Sequence, residues 1–120
     1  MRVIAGKYKS RRLAASPGIE TQPASESSLR ETLFNVVALG IEGSVRLDLF
    51  AGSGAIGIEA LSRGARNVYF VKSAGAAART IRNNLHTLAI DQGAEVIERD
   101  VATGLRMLES QAVMCAFIFF

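Results

Sequence analysis

The segment Gly52-Ser53-Gly54-Ala-Ile-Gly57 is the stretch of this chain best equipped for chemistry. It fits G-x-G-x-x-G after a strand-like run and opens a helical one. Glycines at those points allow a tight turn and close approach of backbone to a ligand. The pattern alone serves dinucleotides and S-adenosylmethionine equally, and two acids favour the second. Asp48, in Asp48-Leu-Phe50-Ala51-Gly-Ser-Gly54, sets an acceptor beside the loop. Such a charge suits the ammonium of a methionine moiety and repels a pyrophosphate. Glu59, early in the following helix, is again a poor neighbour for phosphate. The competing reading is a purely structural glycine turn with an acid near a helix start.

Three other features carry two readings each. A nucleotide-binding fold sets an acid about 20 residues past the first glycine to grip ribose hydroxyls, and this chain has Lys72 there. A cation at that point suits the 2′-phosphate of NADP, or is a solvated lysine at a strand end. Asp100, after a later strand, either accepts from an adenine amino group or caps the helix that follows. Residues 1–15 carry Arg2, Lys7, Lys9, Arg11 and Arg12 with no acid. That cluster either draws phosphate backbones through counterion release or is a solvated hairpin. His86 is a lone histidine among polar helix neighbours and reads as surface. No Cys/His cluster points to a metal, and one histidine supports no Ser/His/Asp arrangement.

The elements that must position these groups follow from composition and pattern. A chain of 120 residues is about one domain, and 49% hydrophobic with 21% charged residues is an ordinary soluble globular composition, not a disordered one. No apolar run approaches the roughly 20 residues of a bilayer span, and no signal-peptide core follows Met1. The single cysteine, Cys115, closes no intramolecular disulfide, which points to a reducing cytoplasm. Arg2 to Leu13 alternates around Gly6 as a short β-hairpin or arm, and Ser16-Pro17-Gly18 and Gln22-Pro23 mark a loop. Ser28-Leu-Arg-Glu31 fits a capping box ahead of a helix bearing Leu29, Leu33, Phe34, Val36 and Val37.

From Val45 strands and helices alternate. Strands are expected at Val45–Phe50, Asn67–Val71, Ala94–Glu98 and Val113–Phe120. Helices are expected at Ala55–Arg63, stopped by Gly64, at Ala74–Leu88 and at Ala102–Glu109. Such alternation implies an α/β parallel sheet with right-handed crossovers. The last strand has no charge to blunt an edge. It reads as an interior strand whose continuation is missing, hence a fragment.

With these motifs in view, the chain resembles the RsmD-type ribosomal RNA methyltransferases. The likeness runs from Met1-Arg-Val-Ile-Ala-Gly-Lys-Tyr-Lys9 through Leu29-Arg-Glu-Thr-Leu-Phe-Asn35 and is strongest across Leu47 to Ala65. It extends through Ile81-Arg-Asn-Asn-Leu85 to the end. The glycine loop is shared by many methyltransferases, whereas its combination with the two N-terminal segments is more specific. The resemblance implies a Rossmann-like S-adenosylmethionine-dependent methyltransferase fold, here a partial doubly wound sheet with an N-terminal β-hairpin extension. It divides the chain into a basic hairpin and loop (1–24) and a partial methyltransferase domain (25–120).

The resemblance also implies methylation of the exocyclic amine of a guanine in small-subunit rRNA, or in a ribosomal assembly intermediate, with no membrane and no metal. S-adenosyl-L-methionine is the implied cofactor. Asp48, Phe50, Ala51, Gly52, Ser53, Gly54, Gly57, Lys72 and Asp100 are the implied cofactor contacts. The cluster Arg2, Lys7, Lys9, Arg11 and Arg12 is the implied RNA contact. The target amine is expected to attack the sulfonium methyl in line, held by an Asp/Asn-Pro-Pro-aromatic motif.

Departures from the family pattern lower the expected activity. The Asp/Asn-Pro-Pro motif is expected just after Phe120, so no catalytic residue falls within the chain. Lys72 replaces the ribose-binding acid, and Ala116 replaces an aspartate usual early in the last strand. Gln22-Pro23-Ala24-Ser25-Glu26 resembles the family's Arg-Pro-Thr-Ser-Asp, with Gln22 for arginine and an extra residue near Ser27-Ser28. Hydrogen bonds to charged groups are worth about 1.5–3 kcal/mol. Loss of the ribose acceptor therefore predicts roughly 10- to 100-fold weaker cofactor binding, and with the catalytic motif absent no RNA methylation is expected of this chain. The alternatives are a non-catalytic or vestigial RNA-binding domain and an NADP-binding Rossmann domain.

Overall fold

The structure, a computed structural model, describes residues 2–14, 40–49, 53–113 and 117–119. The expected loops at 16–18 and 22–23, the capping box at 28–31 and its helix lie outside the described residues, as do Phe50, Ala51, Gly52, Cys115 and Ala116. Strands β1 (Val45–Asp48), β2 (Asn67–Val71), β3 (Ala94–Ile97) and β4 (Phe117–Phe119) alternate with helices α1 (Ala55–Ser62), α2 (Gly75–Thr87) and α3 (Val101–Ser110). The expected elements form at their expected places, with ends moved by one or two residues except in the last strand, described only over 117–119.

All strand pairs are parallel, in the order β3-β2-β1-β4. Chain direction across the sheet decides which face each helix covers. From β1 to β3 the chain steps one way, so right-handed crossovers put α1 and α2 on a common face. From β3 to β4 it returns past β1, and α3 falls on the other face. The cores match this division. Ala55, Ile56, Ile58 and Ala60 of α1, Ile81 and Leu85 of α2 and Leu88 just past its end pack with Val68 and Phe70 of β2. Leu108 of α3 packs with Leu47, Val71 and Ile97. Alternation along β2 supplies both faces, since successive strand residues point to opposite sides.

The N-terminal arm is closed by one antiparallel bridge, Arg2 to Arg12, with the Val3 amide donating to the Arg11 carbonyl at 2.9 Å. Val3 and Leu13 are buried in the α1–α2 core, so the arm shares that core.

The α1 helix begins from Gly54, whose φ of 81° is the left-handed conformation that glycine adopts without cost. Gly57 is required by packing. A Cβ there would lie 2.3 Å from Phe70 Cε1 and 2.9 Å from Asp48 Oδ2. The loop's last glycine therefore lets helix and strand approach, a packing demand beside the tight turn and ligand approach expected from the sequence. Gly57→Ala is expected to cost about 1–3 kcal/mol through overpacking against the fully buried Phe70 ring. Urea unfolding of the variant checks this, with a lowered midpoint as the expected result.

Candidate functional site at the carboxyl ends of the strands

In open α/β sheets the ligand crevice lies beyond the carboxyl ends of the strands, where the chain reverses its direction of travel across the sheet. Here that point is between β1 and β4, and Asp48 is the last residue of β1. Lys72 follows β2 and Asp100 follows β3, so all three residues singled out from sequence stand at one edge of the sheet.

Asp48 and Lys72 are brought into direct contact. Phe70 is the register partner of Asp48, and Lys72 lies two residues beyond it with the same face parity. The Lys72 Nζ donates to Asp48 Oδ1 at 3.3 Å, while the Gly57 amide donates to Asp48 Oδ2 at 3.0 Å. The pair is buried, with side chains 5% and 1% exposed. The reading of Lys72 as a solvated strand-end lysine is thereby corrected, while the 2′-phosphate reading meets an ammonium already engaged by Asp48. Burial pushes the ammonium below the ordinary lysine value of 10.5, and the Asp48 charge and hydrogen bond oppose that shift.

Asp100 is the N-cap of α3, its Oδ1 accepting from the Thr103 amide at 2.6 Å. The Thr103 hydrogen bonds hold the exposed carboxyl below the usual carboxylate value. The capping role is the one the geometry displays. Ser53 and Gly54 are buried at the entry to α1, whereas Phe50, Ala51 and Gly52 lie outside the described residues. His86 is exposed in the last turn of α2, as expected of a surface histidine.

Glu59 does something the sequence did not suggest. Its carboxylate is 1% exposed and accepts from the amides of Ile4 at 2.8 Å and Ala5 at 3.0 Å, with Arg63 Nε at 3.0 Å. It therefore holds the arm, a role beyond the sequence reading of an acid early in the helix that disfavours phosphate. Ser62 continues the attachment: its Oγ accepts from the Tyr8 amide and donates to the Ala5 carbonyl, and its carbonyl accepts from Lys7. Asn84 completes it. Its Oδ1 accepts from the Ala14 amide at 2.8 Å, and its Nδ2 donates to the Ala14 carbonyl at 3.0 Å and to the Ser53 carbonyl at 3.2 Å. One buried amide thus joins the end of the arm to the glycine loop. The signal for Asn84 was present in the sequence, since it shares the apolar stripe of Ile81, Leu85 and Leu88 and a polar group there requires a partner.

The five arm cations are all exposed. Arg2 donates to the Ser10 carbonyl, Arg11 to the Thr87 carbonyl, and Lys7 sits 5.5 Å from the centre of the Tyr8 ring. These contacts orient the Arg2, Lys7 and Arg11 side chains, and the exposed cations of the arm lie beside α1 and α2. Among the described residues no group of three or more His, Cys, Asp and Glu is arranged to hold a metal. None of the described helices is long and apolar enough to cross a membrane.

The family described as Conserved hypothetical protein 95 matches residues 1–120. A Bacillus subtilis protein named "Putative rRNA methyltransferase YlbH" is 42% identical over 105 residues, covering 88% of this chain and 56% of that protein. The ribosomal RNA small subunit methyltransferase D of Haemophilus influenzae is 37% identical over 112 residues, covering 92% and 58%. The solved structure of an Escherichia coli protein named "Putative methyltransferase yhhF" matches with a TM-score of 0.75 and 36% identity, covering 88% of this chain and 55% of that one. The chain spans a little over half the length of these relatives.

The buried lysine has a pH signature. Between its lowered folded value and 10.5 the unfolded chain binds more protons than the folded one, so Lys72 makes stability rise with pH in that window. Denaturant midpoints across that alkaline window are expected to rise for the unmodified chain relative to Lys72→Met. Parallel curves for the two proteins would contradict the burial of this amine.

Proposed function

The chain belongs to the Conserved hypothetical protein 95 family, that of the RsmD-type rRNA methyltransferases, and from that premise we propose that it supplies the cofactor loop and the RNA-holding arm of such an enzyme. The enzyme's reaction in this reading is methyl transfer from S-adenosylmethionine to the exocyclic amine of a guanine in small-subunit rRNA. Arg2, Lys7, Lys9, Arg11 and Arg12 engage RNA phosphates. Asp48, Ser53, Gly54, Gly57 and Asp100, with residues 50–52, form the cofactor cleft.

One observation carries the reading. The exposed basic arm is bolted by Glu59 and Ser62 to the helix that starts at the glycine loop, and by Asn84 of α2 to Ser53 of that loop. A phosphate backbone drawn to the arm is thereby placed at a fixed offset from the cleft, which is what alignment of two reactants requires.

The residues present fit the cofactor in part. Gly54 and Gly57 give the tight, closely packed loop, and Asp48 gives an anion beside it. The place for a ribose acceptor holds Lys72, already fixed on Asp48, and this does not fit. Cofactor binding by this chain is therefore weak. The 120 residues contain no Asp/Asn-Pro-Pro stretch, their two prolines being Pro17 and Pro23. Methyl transfer is accordingly not assigned to these residues by themselves. The NADP alternative gains nothing from Lys72, whose ammonium is engaged.

Two measurements check the reading. Millimolar S-adenosylhomocysteine is expected to raise the melting temperature while NADPH does not, since only a ligand of the folded state stabilises it. Binding of a single-stranded small-subunit rRNA fragment is expected to weaken with salt. Replacing Lys9 and Arg12 by alanine should make the log–log slope shallower by about 0.7 for each phosphate no longer neutralised. An unchanged slope would remove the arm from the RNA interface.

A further inference from the structure

The buried ion pair at the carboxyl ends of β1 and β2 is more than the absence of a ribose acceptor. Asp48 ends β1 at the point where this sheet reverses, beside the glycine loop, which is where a ligand's polar end belongs. One of its oxygens is committed to the Gly57 amide at 3.0 Å, so the carboxylate cannot turn away without releasing the start of α1. The other faces the Lys72 ammonium at 3.3 Å. Neighbouring strands lie about 4.8 Å apart, a gap that a lysine side chain spans with ease.

We propose that Lys72 is a tethered occupant of the ammonium subsite beside the glycine loop, and that it sets the specificity of the cleft against cofactors carrying a free amino group. This rests on the cofactor reading above and deepens it. A methionine ammonium and the Lys72 ammonium need the same carboxylate oxygen, and two like charges cannot share it in a buried place. Entry of S-adenosylmethionine or S-adenosylhomocysteine therefore requires Lys72 to leave Asp48. The burial that disfavours the charged amine is offset only while Asp48 holds it. Occupancy differs from a merely missing acceptor in one testable respect. An apolar residue at this position supplies no ribose acceptor either, yet it vacates Asp48.

The test is isothermal titration of S-adenosylhomocysteine into the unmodified chain, Lys72→Met and Lys72→Glu, each first shown to melt cooperatively. Lys72→Met is expected to bind at least about tenfold tighter than the unmodified chain, and Lys72→Glu tighter still. If only Lys72→Glu gains affinity, Lys72 is a missing acceptor, the proposal falls and the cofactor reading stands. If none of the three binds, both fall. Should Lys72→Met fail to fold, acetylation of the unmodified chain by an amine-reactive ester decides, because its three lysines are Lys7, Lys9 and Lys72. Lys72 is expected to label more slowly than Lys7 and Lys9 in the free protein and faster with millimolar S-adenosylhomocysteine. Labelling of Lys72 that is unchanged or slower with the ligand overturns the proposal.

Discussion

A single buried carboxylate holds the crevice end of this sheet together. Asp48 receives the amide of Gly57 on one oxygen and the ammonium of Lys72 on the other. The first contact fixes how closely α1 lies on β1 and β2, and that distance is why residue 57 has no side chain. The second links the ends of β1 and β2 across the sheet. Removing one member of a buried pair leaves an uncompensated charge, at a cost of about 3–5 kcal/mol. The residue expected to greet a ligand is thus also a structural member.

The helix that Asp48 anchors has a second polar attachment farther along. Glu59 and Ser62 grip the arm by its backbone, while Asn84 on α2 ties the arm's end to Ser53. These bonds leave the side chains of Arg2, Lys7, Lys9, Arg11 and Arg12 outward and exposed. Glycine loop and basic arm consequently meet on one eight-residue helix and its neighbour.

Much of this was legible in the sequence for physical reasons. Apolar alternation and glycine punctuation placed four strands and three helices, because parity and helix caps are local properties. The capping role of Asp100 was one of its two readings for the same reason. Pairings across the fold were not legible. Nothing in the chain order says that Lys72 shares a face with Asp48, since this depends on the β1–β2 register. Glu59 looked like a feature of the loop because sequence spacing cannot tell which side of a helix meets a distant arm. Asn84 was legible in part, as a polar residue in an apolar stripe, but its partners were not.

The central claim is that the Lys72 ammonium is buried on Asp48 in the free protein. Nuclear magnetic resonance titration of the lysine side-chain amines tests it most directly. The account predicts that Lys72 titrates below the ordinary lysine value and that its signal moves when Asp48 is replaced by asparagine. A Lys72 amine that titrates at the value of a solvated lysine, indifferent to Asp48→Asn, would contradict it.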